Sequence, residues 1–358
     1  MEHAVAEAKP TLCIINYNGA RFMPTTLGSA VALADRFAEI LLVDNASTDD
    51  SVAIAETSYP MVRVHRMPDN RGPGAARNAG LREAATDRIL FIDNDVNLSP
   101  DCADVLVRAL EANPNAAVAA PRVLYAHKPE IIQYDGAGSH FLGVMTLENP
   151  DAPAASTDDA VRTTLSVITC AFMVARERLP EPEPFDESFF IYLEDHDFGV
   201  RMRALGAEIL AVPQAVCFHG EGTAGLSIRA EGKYSSMRVF CLIRNRWQFI
   251  LKNYSRRSLI VLSPLFLVYE LAQLGLVVRK GWLREWGRAV AWMWNHWGEV
   301  MAKRRAVQSR RKRPDRDLLS GGSIPFRDEL SSSSLERALQ RGLSAFADVY
   351  WRGAAHLI

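Results

Sequence analysis

Over the first hundred residues, short apolar runs alternate with stretches of helical spacing. Residues 11–16, 39–44, 62–66 and 88–93 read as strands. Three of them end in polar turn clusters, at Asn16-Tyr17-Asn18-Gly19, at 44–49 and at Asp93-Asn94-Asp95. Helices are predicted between them: one reaching Leu33, one capped by Ser47, Thr48 or Asp49, and one opening at Gly72-Pro73-Gly74 and running through Ala84. Short buried strands separated by helices imply a parallel sheet covered on both faces. Ligands of such sheets bind at the carboxyl ends of the strands, so the three polar clusters are expected to converge on one crevice.

Further along, 118–121, 165–174 and 208–212 read as strands, and 149–159 as a Pro/Asp/Ala-rich loop. A helix is expected from Phe198 to Leu205, closed by Gly206. From about Ser227 the chain becomes helical, basic and rich in Trp. Ser-rich breaks at 320–323 and 331–334 precede Leu335, Leu339, Leu343, Phe346 and Tyr350, whose spacing predicts an amphipathic tail helix.

The 358 residues are 48% hydrophobic and 23% charged, which excludes collagen-like and wholly disordered chains and suits about two domains. The net charge of -1 provides no global attraction for nucleic acid, but it is unevenly spread. Residues 243–313 hold 16 Lys/Arg against 3 Asp/Glu, a charge of +13 that leaves -14 for the rest. An acidic body joined to a basic, Trp-rich segment suggests docking on an anionic surface. The five cysteines form no CxxC pair and read as small core residues of a reducing compartment. Residues 1–10 carry acids and no apolar run, unlike a secretory signal.

Candidate chemistry gathers at four places. Asp93 and Asp95 lie two residues apart on extended chain, so their carboxylates share one side. They suit Mg²⁺ or Mn²⁺ with a diphosphate completing the shell, or else cap a polar turn. Glu194-Asp195-His196-Asp197 places three acids in four positions, more than helix capping requires. Crowding raises carboxylate pKa values and suits a general base. His219, beside Gly220, reads as a structural histidine or a third metal ligand. The stretch from Asn70 to Gly80 is a Gly-rich helix entry with Arg71 and Arg77, which favours phosphate or simply makes a tight turn. It matches neither a Walker A loop nor a dinucleotide fingerprint.

In this order the motifs resemble the family 2 glycosyltransferases, inverting enzymes of the GT-A fold. The likeness rests on Ile14-Ile15-Asn16-Tyr17-Asn18, on 43–49, on Asn70-Arg71-Gly72 with 76–80, on Asp93-Asn94-Asp95, and on 185–198. It covers roughly residues 10–225. Phe189-Phe190-Ile191-Tyr192-Leu193-Glu194-Asp195 looks most like the rhamnosyltransferase branch. The resemblance implies that Asn16, Tyr17 and Asp44 contact base and ribose, with Asn70, Arg77 and Asn78 bordering the base or diphosphate. Asp93 and Asp95 would hold ribose and metal, Asp95 being the direct ligand and His219 a third. Asp195 would be the catalytic base and Glu194 an acceptor contact. It further implies Mn²⁺ or Mg²⁺, a nucleoside-diphosphate sugar donor and a lipid-linked glycan acceptor. The expected architecture is an α/β GT-A domain over 1–226, with a nucleotide-sugar half (1–97) and an acceptor half (98–226). A helical membrane-interface region (227–313) and a linker with tail helix (314–358) follow. Arg246-Trp247 matches part of the signature of processive synthases, but Ile243 replaces its Gln. A single-addition enzyme is therefore expected.

Residues 258–278 are the most apolar stretch, long enough to span a bilayer, yet Ser263, Glu270 and Gln273 form a polar stripe and Arg/Lys flank both ends. With Trp282, Trp286, Trp292, Trp294, Trp297 and the basic run 303–313, this predicts a helix lying at the cytoplasmic face of the membrane. Packing on the catalytic domain, or between subunits of a homo-oligomer, is the other reading. A nucleotidyltransferase of related fold and a non-catalytic membrane scaffold are the functional alternatives.

Overall fold

A computed structural model describes residues 9–220, 235–322, 324 and 334–358. The first four predicted strands form as expected: β1 (Thr11–Asn16), β2 (Glu39–Asp44), β3 (Val62–Arg66) and β4 (Arg88–Asp93). They lie in the parallel order β3-β2-β1-β4, with Asn16 opposite Asp44 and Ile15 opposite Asp93, so register alone brings these strand ends together.

Alternate residues feed two cores. Leu12, Ile14, Leu90 and Ile92 pack on one face against α1 (Met23–Ala32), α2 (Ser51–Ser58) and, farther along, α4 (Cys102–Ala112). Cys13, Ile15, Ile89 and Phe91 pack on the other against α3 (Pro73–Glu83) and α5 (Glu194–Ala204). All five cysteines are buried and free.

Beyond β4 the sheet is mixed, not wholly parallel. After β5 (Val96–Leu98) come β6 (Ala116–Tyr125), β7 (Lys128–Tyr134), the separate hairpin β8 (Ala137–His140) and β9 (Val144–Leu147), and β10 (Arg162–Thr163). Then β11 (Ala171–Ala175) runs antiparallel between β4 and β6, while β12 (Glu208–His219) runs parallel to β6. An apolar run shows burial but not strand direction, and the shorter strands lacked a clear pattern. Only 171–174 of the predicted strand 165–174 is extended within β11. Helix α5 starts at Glu194, four residues before the apolar spacing indicated, so the acidic run forms its first turn.

The basic region forms α6 (Ser236–Asn253), α7 (Arg256–Lys280), α8 (Leu283–Asn295) and α9 (Trp297–Arg310), with the tail helix α10 (Ser334–Ala354) beside α7. The expected boundary at 226/227 lies outside the described residues. Much of the basic charge faces the acidic body. Lys252 and Lys303 pair with Asp186, Arg310 with Glu181, and Arg313 with Glu208. The opposite charges thus form a seam between the two parts, where the sequence reading turned the basic run towards lipid. The tryptophans also divide. Trp247 and Trp286 meet edge to face, Trp292 stacks on His296, and Trp294 and Trp297 are exposed.

Candidate active site

The ends of β1, β2 and β4 and the first turn of α5 surround a cavity of about 440 Å³. Its walls include Tyr17, Asn70, Arg77, Asp93, Asp95, Glu194, Asp195 and His219. Residues up to two hundred positions apart therefore meet at one crevice.

Asn16, Asp44 and Asn78 do not line this cavity. Asn16 donates to Asp44 (2.8 Å) and Ser51 (2.9 Å) and accepts from Asn94 (2.9 Å). Asp44 also accepts from the Ser47 amide and hydroxyl. Asn78 is a buried clamp that donates to the Phe185 carbonyl and Glu187 and accepts from the Phe185 amide. These polar groups bond to loops and form a layer behind the cavity wall.

Arg77 is 2% exposed and is the cavity's buried cation. One of its terminal nitrogens donates to Asp93 (2.6 Å) and to the Thr169 carbonyl (2.8 Å). Its Nε and Nη1 have no hydrogen-bond partner, and Nη1 lies 3.9 Å from Glu194 Oε1. Such an orphaned fork suits an anionic oxygen pair.

Glu194 and Asp195 enter from the first turn of α5. Burial, then the repulsion of Asp195, pushes the Glu194 pKa above the usual carboxylate range, with Arg77 opposing. Burial likewise raises Asp195 against its hydrogen bond from the His196 amide (2.7 Å). The rest of the acidic run turns inward. His196 contacts Ser139 (2.9 Å) and the edge of Phe249, and burial lowers its pKa to about 3. Asp197 is fully buried and accepts from Lys252 (2.7 Å) and Asn253 (2.8 Å).

Asp95 and His219 face each other, with Oδ1 to Nε2 at 3.3 Å, because β5 pairs antiparallel with the end of β12. Gln133 fixes the other ring nitrogen at 2.9 Å. Burial opposes a charged imidazole, but neighbouring Cys170 and Asp95 outweigh it and raise the His219 pKa. Asp93 is turned to Arg77. Among the described residues, no three His, Cys, Asp or Glu side chains gather to hold a metal by themselves.

Several lining residues had no role assigned from the sequence: Asn45, Phe190, Ile191 and, from the helical region, Met237. Asn45 bridges to Asn70 (2.9 Å) and so ties the β2 loop to the entry of α3. Gly72 has φ +87°, and a Cβ there would fall on the Phe190 carbonyl oxygen. Phe190, Tyr192 and Leu193 have φ of 63°, 67° and 65°, a conformation costing of order 1–3 kcal/mol for each non-glycine residue. Arg246 and Trp247 lie away from the cavity and bond Glu270.

A mixed sheet with an acidic cluster at its strand ends and helices on both faces defines the GT-A fold. Solved structures agree: GalNAc-T7 with UDP, GalNAc and Mn²⁺ superposes with a TM-score of 0.57 at 16% identity, over 74% of this chain and 50% of that one. This chain thus spans half of that neighbour. S. aureus TarS with UDP-GlcNAc gives 0.52 at 16% identity, over 96% and 92%. Residues 11–177 match the model of glycosyl transferase family 2. Among curated proteins it is 27% identical over 226 residues to the N-acetylglucosaminyl-diphospho-decaprenol L-rhamnosyltransferase of Mycobacterium tuberculosis, covering 57% of this chain and 74% of that protein. The pre-mycofactocin glycosyltransferase of the same species is 27% identical over 58% of this chain and 41% of its own length.

Proposed function

We propose that this protein is an inverting glycosyltransferase moving a sugar from a nucleoside-diphosphate sugar, dTDP-rhamnose-like or UDP-linked, to a hydroxyl of a lipid-linked glycan. The observation carrying this reading is the cavity's lining: cationic Arg77 stands between the Asp93–Asp95 strand end and buried Glu194, with half-buried Asp195 next to it. The mycobacterial relative is named for a lipid diphosphate acceptor, and the S. aureus neighbour holds a UDP-sugar.

In this mechanism the buried Arg77 guanidinium, at the cavity wall, stabilises the negative charge that develops on the diphosphate. Tyr17, Asn45 and Asn70 border the nucleoside. Asp195 accepts the acceptor hydroxyl proton as the oxygen attacks the anomeric carbon opposite the leaving group, which inverts configuration in one displacement. Glu194 orients the acceptor. Asp95 and His219, a hard oxygen and an imidazole side by side, fit a divalent ion whose shell the diphosphate would complete. Bound Mn²⁺ or Mg²⁺ would supply further charge stabilisation at the leaving group.

The same reading places the protein at the cytoplasmic face of a membrane, and α7 supports it. Glu270 and half-buried Gln273 turn toward the protein, whereas Ile260 (73% exposed), Leu267 (62%), Leu271 (60%) and Val278 (56%) line the outer face as one stripe about 27 Å long. Exposed Arg256 and Arg257 stand at its start, as suits anionic headgroups.

Calorimetric titration with UDP, dTDP and GDP, each with and without Mn²⁺, tests the donor site. Tight, metal-dependent binding of one nucleotide is expected, and a folded protein binding none of them refutes the transferase reading. Leu267→Glu with Leu271→Glu should abolish sedimentation with anionic vesicles. Unchanged sedimentation, or wild-type self-association through this face in place of vesicle binding, refutes the membrane assignment.

A further inference from the structure

The turn that delivers Glu194 and Asp195 to the cavity is held only in part by its own backbone. Phe190, Tyr192 and Leu193 are all left-handed, and none is Gly or Asn, the residues that accept that conformation readily. Local backbone bonds contribute, from Phe190 N to Glu187 O (3.1 Å), Ile191 N to Phe189 O (2.8 Å) and Asp197 N to Leu193 O (2.9 Å), but the side chains that bind the turn's carbonyls lie elsewhere. Those come from α6, more than fifty residues later. The Asn245 side-chain amide sits within hydrogen-bond reach of three successive acceptors: the carbonyls of Phe189 (3.0 Å), Ile191 (2.9 Å) and Tyr192 (2.6 Å). Two amide hydrogens serve three oxygens, so the backbone winds around that nitrogen. Which end of the amide faces the turn is fixed independently. Arg244 Nε, which can only donate, bonds Asn245 Oδ1 at 2.8 Å, and Arg244 Nη2 reaches the Phe189 carbonyl at 2.5 Å. Asn245 is wholly buried, so no water competes for the turn.

We infer that Asn245 is a positioning residue for the reaction: it holds the left-handed turn 189–193 and so sets where the Glu194 and Asp195 carboxylates stand relative to Arg77 and Asp93. Phe190 and Ile191, on the same turn, line the cavity, so Asn245 shapes the acceptor wall without touching substrate. Arg244 is the lock on its orientation. The inference rests on the transferase reading for its kinetic consequence, but not for its structural one.

The test compares wild type with Asn245→Ala and, because the buried alanine could fail to fold, with Arg244→Lys. The lysine keeps a cation near Phe189 but lacks the fork that also reaches Asn245. Peptide-level hydrogen exchange should rise over 189–195 in either variant and stay unchanged in the parallel strands β1–β4. In the transfer assay, kcat should fall about 100-fold for Asn245→Ala and about 10-fold for Arg244→Lys, with KM for the donor within about threefold of wild type. Leu193→Gly relieves the left-handed penalty at the last turn residue. Added to Asn245→Ala, it should recover part of the lost kcat, a rescue that general loss of packing would not allow. Unchanged exchange over 189–195, or a rise spread equally through β1–β4, overturns the inference. So does a donor KM that rises in step with the fall in kcat. A wild-type protein inactive on every nucleotide sugar refutes the transferase reading, and the exchange data then decide the turn by themselves.

Discussion

Two groups of buried carboxylates lie eight residues apart and are treated in opposite ways. Asp186 is enclosed with Lys252 at 2.6 Å and Lys303 at 2.8 Å. Burial would raise its pKa, but the two ammonium groups outweigh this and hold it well below the usual range. Glu194 and Asp195 have no such matched cations. Arg77 is shared with Asp93, and burial wins, so both pKa values rise. A carboxylate with built-in partners is a fastener, and one short of partners keeps its electrostatic need for a substrate.

The largest effect that could break this contrast is on chemistry. Asp195→Asn should lower transfer roughly 10²–10⁴-fold while donor affinity, read by calorimetry, stays near wild type. An equal loss of donor affinity would move Asp195 to the donor side of the cavity. Next comes stability. Lys252→Met leaves Asp186 and Asp197 buried with one cation fewer and should cost about 3–5 kcal/mol in urea denaturation. Glu194→Gln, by the same measurement, should be neutral or stabilising.

The smallest effect is the pH dependence, where the two groups carry opposite signs. Glu194 and Asp195 have raised folded pKa values, so their contribution to stability is complete below the ordinary carboxylate range and lost as pH rises through the raised values. Asp186 has a depressed value, so its contribution is present above the ordinary range and lost as pH falls through the depressed one. Relative to wild type, the double variant Glu194→Gln/Asp195→Asn should gain stability between about pH 5 and pH 9, whereas Asp186→Asn should lose least in acid. Parallel curves for the two variants would erase the distinction. Transfer itself should decline as pH falls through the raised pKa of the pair, because the base must be ionised.

The donor half was legible because each strand is an apolar run closed by a polar cluster, and parallel register then aligns the ends. Asp93, Asp95 and Arg77 follow from that alone. At Asn16 and Asp44 the same cue is less decisive, since a polar residue at a strand end has the same local pattern whether it meets a ligand or ties a loop, and here both tie loops behind the cavity wall. The start of α5 was set too late because an acidic first turn has no apolar periodicity. Asn245 was invisible for a different reason. It sits in a helix among Arg244, Arg246 and Trp247, and only the fold shows that its amide meets a turn more than fifty residues earlier. The charge split was legible as composition, but that Lys252, Lys303, Arg310 and Arg313 meet acids of the body across the seam was not.

The contact between Gly72 and the Phe190 carbonyl has a consequence for anyone recombining this enzyme with its relatives. Residue 72 precedes β4, yet it leaves room for a loop that follows β11, in the part that the proposed function assigns to the acceptor. A chimera joined between β4 and β5 inherits these two positions from different parents. Any donor half bringing a side chain at residue 72 would push the foreign loop out of place, so specificity for the two substrates cannot be exchanged as independent modules.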